Sequence, residues 1–310
     1  MTQAATWGSI ALVVAMMVTA GLFGSKDIIF PEIAALAFGA WVLDKRPWPG
    51  PAWTMWFSPT VGAVTGVLLL RFVPASLAVL VCLAFVLVLF ELQVSRSSIS
   101  PTFSAAVLPI ITNIHGWLYP ASVCLMTALI AGVTMLKEHT AVSDGGTARP
   151  VCRFARDCLP HTLASYGKLT LCVLVAAVVA MHFAWTFILA PPLLVAFVEL
   201  AQPECPWRGQ GVRLILLLTA SALAGTIGVA GIVLFLSGPP WLAAALAVAA
   251  VFGLVRLLQL ASPPAFALAL LPTILPPATL PTYPLQVLIG SLLFLWGVKL
   301  WFPVAVASDA

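Results

Sequence analysis

Long apolar runs, separated by short polar stretches, follow one another along nearly the whole chain. Several runs reach about 20 residues, the length at which an α-helix crosses a bilayer. Others are shorter and begin at proline, which fits the first turn of a helix. The pattern predicts an all-α polytopic membrane protein with about 12 membrane elements, at residues 6–23, 32–43, 56–70, 74–93, 100–113, 117–136, 169–188, 191–200, 212–236, 240–258, 262–275 and 281–301.

Composition agrees with a membrane protein. The 310 residues are 62% hydrophobic and 8% charged, whereas about a quarter of the residues of a soluble domain are charged. The first run has no basic segment before it and no small-residue cleavage site with a polar chain after it. We therefore expect a retained helix, not a signal peptide. The basic residues are scattered near helix ends, so the sequence predicts no nucleic-acid partner.

A short proline-bracketed pattern occurs twice. When Pro101 is aligned with Pro264, residues 101–109 and 264–272 both read P-x-F-x-x-x-x-L-P, and a Tyr-Pro pair follows each. A helix can begin at the first proline, but the second proline removes a hydrogen bond and clashes with the preceding turn. Each copy is therefore predicted to be a helix of about two turns followed by a break. In a membrane, such broken backbone is tolerated only where it is buried in protein or lines a cavity.

The order of elements around this pattern predicts an internal duplication. The expected organisation is a first membrane repeat at 1–136, a cytoplasmic linker loop at 137–168, a second membrane repeat at 169–302 and a C-terminal tail at 303–310. At a spacing of 162 residues, Ala224 and Gly228 correspond to Gly62 and Gly66, a G-x-x-x-G pair that permits close helix approach.

The distribution of Lys and Arg predicts the topology. If all the elements cross the membrane, every basic residue except Lys26 and Arg71 shares the side of the N-terminus. If the four short elements are re-entrant, the 14 basic residues divide equally between the two sides. The positive-inside rule favours the first arrangement, with both termini in the cytoplasm and the protein in the cell (inner) membrane. An even number of elements in each repeat predicts parallel repeats.

Glu32 is the leading candidate for function, because its neighbours in the sequence are apolar. A carboxylate inside a helical bundle is expensive and is a functional candidate by default. A role in proton coupling is the functional interpretation, and the alternative is an acid that complements the dipole of its own helix. Glu199, in the corresponding helix, is expected to be a capping or surface residue near an interface. Trp48 is expected to be an interfacial anchor.

Further candidates surround the short proline helices. Arg96 and Arg256 precede two of them, and either attract an anion or anchor the topology. Ser100 and Ser262 suit N-caps, a role that a substrate could replace. A polar cavity at the interface of the repeats is predicted. The predicted substrate-binding set is Pro31, Glu32, Arg96, Ser100, Pro101, Thr102, Arg256, Ser262, Pro263 and Pro264.

Residues in the second half resemble the HPP family of membrane proteins, which is named for a His-Pro-Pro motif. The resemblance is carried by the run Trp-Leu-Ala-Ala-Ala-Leu-Ala-Val at 241–248, the stretch Arg-Leu-Leu-Gln at 256–259, Ser-Pro-Pro at 262–264 and the turn Ala-Gln-Pro at 201–203. Family members use one such unit, so this chain looks like a tandem fusion of two. In place of the histidine stand Ser262 and, in the first repeat, Ile99. Some family members are nitrite transporters, so the resemblance implies an inorganic anion such as nitrite as the substrate.

We expect a secondary transporter or channel-like carrier for a small solute. There are two alternatives. One is an integral-membrane enzyme acting on a lipid or small apolar substrate, and the other is a structural or regulatory membrane subunit. No nucleotide-binding loop or hydrolase motif occurs, so neither catalytic residues nor a cofactor are expected. Cys152, Cys158 and His161 are too few for a metal site. The expected partners are an ion or small molecule, the lipid bilayer and, as an option, a second copy of the chain.

Overall fold

The computed structural model describes residues 3–43, 45–143, 163–203 and 205–302. These residues form twelve α-helices and several single turns of other helix types. Most of the predicted linker, with Cys152, Cys158 and His161, and the tail at 303–310 lie outside the described residues. The helices are α1 (Gln3–Phe23), α2 (Glu32–Ala37), α3 (Thr54–Phe72), α4 (Leu77–Val94), α5 (Pro101–Thr112), α6 (Leu118–Ser143), α7 (Leu163–His182), α8 (Pro191–Ala201), α9 (Gly211–Gly228), α10 (Pro240–Leu258), α11 (Pro264–Leu270) and α12 (Tyr283–Trp301).

Eight of these helices are long and apolar enough to cross a membrane. They are α1, α3, α4, α6, α7, α9, α10 and α12, and they leave many large apolar side chains exposed. Water would penalise such a surface, whereas lipid does not. The chain is therefore a multi-pass integral membrane protein.

The other four helices are short and lie inside the bundle. Every residue of α2, α8 and α11 is buried, as are the first ten residues of α5. A π-helical turn, Phe38–Val42, prolongs α2, and a 3-10 turn, Leu271–Thr273, prolongs α11. Because protein surrounds these helices on all sides, their irregular ends are enclosed as membrane backbone requires.

Proline and tyrosine act together in the two bracketed segments. Pro109 has no N–H to donate to the carbonyl of Ala105, and the Tyr119 hydroxyl donates to that carbonyl at 2.9 Å instead. Likewise Pro272 leaves the carbonyl of Leu268 free, and the Tyr283 hydroxyl donates to it at 2.9 Å. The tyrosine that follows each segment therefore supplies the hydrogen bond that the second proline removes.

The predicted break at the second proline is correct in one segment and wrong in the other. After Leu270 the second segment tightens into the 3-10 turn that contains Pro272. In the first segment, α5 continues through Pro109 to Thr112 and ends only where Asn113 adopts a left-handed conformation, with φ 56°. The hydrogen bond from Tyr119 removes part of the penalty for an internal proline, but Tyr283 does the same for Pro272, so the tyrosine alone does not account for the difference between the two segments.

The first helix of the second half also departs from the prediction. The expected span was 169–188, but α7 ends at His182, and a 3-10 turn follows at Thr186–Leu189. Between them the backbone of Ala184 is left-handed, with φ 53°. The apolar run continues through this turn, so apolar pattern alone does not locate the end of α7.

The two halves of the chain interleave. In the first half, α1 packs against α10, and α4 packs against α7 of the second half. Among the short helices, α5 packs against α8, and α11 packs against α2. Each half thus supplies neighbours that the other half needs in order to bury its helices.

Glycine sets the distance between α3 and α5 and between α9 and α11. A Cβ at Gly66 would lie 2.1 Å from the carbonyl oxygen of Ala106, and one at Gly225 would lie 2.1 Å from the carbonyl oxygen of Ala269. Gly228, which the sequence aligned with Gly66, faces the carbonyl of Ala243 in α10 instead. That alignment is therefore wrong by three residues along α9.

Candidate functional site

Hydroxyl side chains are concentrated where the chain enters α5. Ser97, Ser98, Ser100, Thr102 and Ser104 are all at most 3% exposed. The Ser98 hydroxyl donates to the carbonyl of Pro49 at 2.6 Å. Pro101 occupies the first turn of α5, so the helix begins inside the bundle and these hydroxyls surround its N-terminal end.

Glu199 meets this segment from the last turn of α8. The Ser100 hydroxyl donates to Glu199 Oε1 at 2.5 Å, and Trp48 Nε1 donates to the same oxygen at 2.8 Å. Trp48 Nε1 also lies 2.7 Å from Ser100 Oγ. The second carboxylate oxygen of Glu199 has no hydrogen-bond partner among the described residues. These three side chains form the Glu199 cluster.

The Glu199 cluster overturns three expectations. Glu199 is 5% exposed and Trp48 is 2% exposed, so neither is a surface or interfacial residue. Both are drawn inward because α8 packs against α5, and the loop after α2 brings the indole to the start of α5. Ser100 makes no side-chain cap on α5, because its hydroxyl is engaged by Glu199.

Glu32 lies deeper in the bundle and is 1% exposed. Neither of its carboxylate oxygens makes a hydrogen bond to a described residue, although Ser104 stands beside it. The carboxylate is near enough to the hydroxyls of Tyr119 and Tyr283 to interact electrostatically with both. One tyrosine begins α6 and the other begins α12, so Glu32 sits between the two halves of the chain.

The helix α5 connects the two carboxylates. Ser100 and Ser104 are four residues apart and therefore lie on the same face, about one turn or 5–6 Å from each other. Ser100 contacts Glu199, and Ser104 stands beside Glu32. We call Ser100 and Ser104 the α5 hydroxyl row; Thr102, two residues from each, faces Gly62 in α3 instead. Sequence reasoning missed Ser104, although its spacing from Ser100 was a signal that could have found it.

The remaining predicted residues divide into three groups. Thr102 and Ser262 are buried, and their hydroxyls have no hydrogen-bond partner among the described residues. Ser262 precedes the residue that caps α11, so its expected N-cap role is wrong. Arg96 and Arg256 are exposed, outside the closely packed interior. The other four, Pro31, Pro101, Pro263 and Pro264, are buried at the starts of the short helices.

Most of the buried charged groups in the described part of the chain are acidic, and Arg208 adds one buried basic nitrogen. A third carboxyl group, Glu91 in α4, also has two buried oxygens without a hydrogen bond, near Ser58 and Ser95. In the described ranges, no three His, Cys, Asp or Glu side chains come together in a group suited to a metal ion. An apolar groove lies elsewhere, between α8, α9 and α12, with Phe197, Leu214 and Phe294 in its wall.

Comparisons with protein-family models, with curated proteins and with solved structures found no match for this chain.

Proposed function

We propose that the protein is a secondary transporter or channel-like carrier for a small solute. Glu32 carries this proposal, because it is a buried carboxyl group at the junction of the two halves, and neither of its oxygens has a hydrogen-bonding or ion-pair partner among the described residues. A structural acid would be expected to have such a partner, since an uncompensated buried carboxylate costs several kcal/mol. Ionisable residues kept inside membrane bundles characteristically mark ion pathways and proton relays.

The repeated architecture belongs to the same proposal. The contacts of α1 with α10 and of α4 with α7 have the reciprocity expected of two equivalent units, as do those of α2 with α11 and of α5 with α8. The proline–tyrosine pairs, Pro109 with Tyr119 and Pro272 with Tyr283, repeat the same hydrogen bond. We therefore propose a tandem duplication in which all twelve elements contribute to crossing the bilayer.

The position of Glu32 supports a parallel orientation of the two repeats. It interacts with the first turn of α6 through Tyr119 and with the first turn of α12 through Tyr283. In inverted repeats the starts of these two helices would face opposite sides of the membrane. Their common proximity to one carboxylate supports parallel repeats, related by an axis along the membrane normal. The distribution of basic residues supports cytoplasmic termini in the cell membrane.

The proposed substrate is an inorganic anion such as nitrite. This choice of substrate rests on the resemblance to the HPP family. An anion is repelled by an ionised carboxylate and tolerated by a protonated one. Since no cationic side chain among the described residues pairs with the buried Glu32, we propose that anion movement requires protonation of Glu32. Arg96 and Arg256 would attract the anion at the exposed ends of the path.

Flux into liposomes that contain the purified protein tests this proposal. Nitrite, nitrate, chloride, sodium and potassium are offered in turn, with and without a pH gradient, and protein-free liposomes serve as the control. We expect an anion to enter faster than in the control and an inward proton gradient to increase the rate. Flux of none of the solutes would contradict a transport function, and flux of a metal cation alone would contradict the anion.

A further inference from the structure

We propose that the α5 hydroxyl row carries protons between Glu199 and Glu32, which makes the proton the coupling ion of this protein. The inference deepens the proposed function and depends on it only for the link to solute movement. It rests on the placement of two buried carboxyl groups at the two ends of one helical turn.

The Glu199 end is held by strong, directed hydrogen bonds. Ser100 and Trp48 both donate to Oε1, which leaves Oε2 free to gain or lose a proton. The indole can only donate, so it fixes the direction of the bonds around Ser100. The Ser100 hydroxyl therefore has its proton directed at Glu199, and its oxygen accepts from Trp48.

The Glu32 end has unused hydrogen-bonding capacity. Both oxygens of Glu32 and the hydroxyl of Ser104 are buried, and none has a hydrogen-bond partner among the described residues. Buried polar groups are normally paired, so several unpaired groups on one turn indicate a site that handles a proton or water. A hydroxyl can donate and accept at the same time, which is what a relay requires.

The transfer conserves protons and charge. The carboxyl group of Glu32 gives up its proton to Ser104 and becomes a carboxylate. Ser104 releases its own proton toward Ser100 through water in the turn between them, and Ser100, whose hydroxyl already points at Glu199, passes its proton to Oε1. The Glu199 carboxylate thereby becomes neutral, and the reverse sequence returns the proton, so no other donor, acceptor or redox partner is needed.

The surrounding groups favour a proton over a metal cation. The titratable side chains that face Glu32 are Tyr119 and Tyr283, whose protons are already directed at backbone carbonyls. Cys205, in the loop after α8, is the titratable neighbour of Glu199, and burial raises its pKa to about 12, so it stays protonated. Lys299 lies in α12, which packs against α8, but is exposed. Two arginines reach the interior side. Arg208 donates to the carbonyl of Phe302 and interacts with Cys205, and its buried Nε has no partner among the described residues. Arg46 pairs with Glu138.

The variant Ser104→Ala tests the relay while leaving the protein folded. Because the Ser104 hydroxyl makes no hydrogen bond to another described residue, its removal should leave folding intact, and it interrupts the row. Glu199→Gln keeps the size and acceptor of the side chain but cannot release a proton. The matched control is Ser221→Ala, which removes an equally buried hydroxyl that bonds only within its own helix, to the Leu217 carbonyl.

Two measurements are made on the full-length protein. In liposomes, proton flux with nitrite should fall at least about tenfold in Ser104→Ala and Glu199→Gln, equivalent to about 1.4 kcal/mol in barrier, and remain unchanged in Ser221→Ala. Ser104→Thr, which keeps the hydroxyl, should restore flux. In detergent, infrared spectra should show slower hydrogen–deuterium exchange of the Glu32 carboxyl group in Ser104→Ala, with Glu32→Gln identifying the band.

The outcomes distinguish the relay from transport itself. If the wild type moves solute and Ser104→Ala keeps full proton flux, the relay is wrong while the transport proposal survives. Flux driven by sodium and not by protons would also overturn the relay. If the wild type moves no solute, transport fails, and the exchange rate of the Glu32 carboxyl decides the relay alone. Equal exchange in the wild type and Ser104→Ala would refute it.

Discussion

Gly225→Ala should destabilise the protein far more than Gly228→Ala, one turn away in the same helix. A Cβ at residue 225 would lie 2.1 Å from the carbonyl oxygen of Ala269 and 2.8 Å from its carbonyl carbon. Backbone cannot rotate away as a flexible side chain can, so α9 and α11 must separate by roughly 1 Å. A separation of that size loses about a quarter to a half of the van der Waals contact energy between α9 and α11. Overpacking of this kind costs about 1–3 kcal/mol, and sometimes more.

At residue 228 the nearest atom to an added Cβ is 3.3 Å away, so a shift of a few tenths of an ångström accommodates it. Gly253→Ala, in α10, is the control, because an added Cβ there meets nothing within 4 Å and alanine favours the helix. The apparent Tm of the purified proteins in detergent should fall by roughly 2 °C or more for Gly225→Ala relative to Gly228→Ala. Equal values, or a lower Tm for Gly228→Ala, would refute the close contact and support the alignment of Gly228 with Gly66.

Three other predictions concern topology, the Glu199 cluster and the tyrosines. In a background without native cysteines, Thr140→Cys should react with an impermeant maleimide only from the cytoplasmic side, and Ala75→Cys should react only from outside. Labelling of Thr140→Cys in intact cells would contradict cytoplasmic termini. Trp48→Phe should cost about 1.5–3 kcal/mol in thermal or denaturant unfolding, because it removes a hydrogen bond to a buried carboxyl group. Trp7→Phe, at a side chain that is 68% exposed, should cost less than about 0.5 kcal/mol. Tyr119→Phe and Tyr283→Phe should each cost about 1–3 kcal/mol, because each leaves a buried carbonyl unpaired, and a neutral effect of either would contradict its role beside proline.

Local pattern was sufficient for the elements of this fold. The run from Pro240 predicted α10 with the observed bounds, and the prolines at 31, 101, 191 and 264 marked where the short buried helices begin. These signals are local, since proline lacks a donor and an apolar run needs no particular partner. The end of α7 and the continuation of α5 through Pro109 depend on a left-handed residue and on a tyrosine from another helix, which local pattern does not contain.

The candidate site was predicted in part for the same reason. Glu32 was recognisable because its sequence neighbours are apolar, and the structure places it in the interior. Glu199 was misjudged because its distance from the membrane surface was counted along one helix. Its partners, Ser100 and Trp48, are 99 and 151 residues away in sequence. Only the packing of α8 against α5 reveals that these residues meet.

The pH dependence of solute uptake by Glu32→Gln protein in liposomes tests the role of Glu32 most directly. The substitution keeps the size and hydrogen-bonding capacity of the side chain but removes its titration. Uptake by the wild type should increase as the external pH is lowered, because protonated Glu32 no longer repels the anion. Uptake by Glu32→Gln should be independent of pH, with a Tm close to that of the wild type. A folded Glu32→Gln protein with unchanged, pH-dependent uptake would contradict the proton role of Glu32.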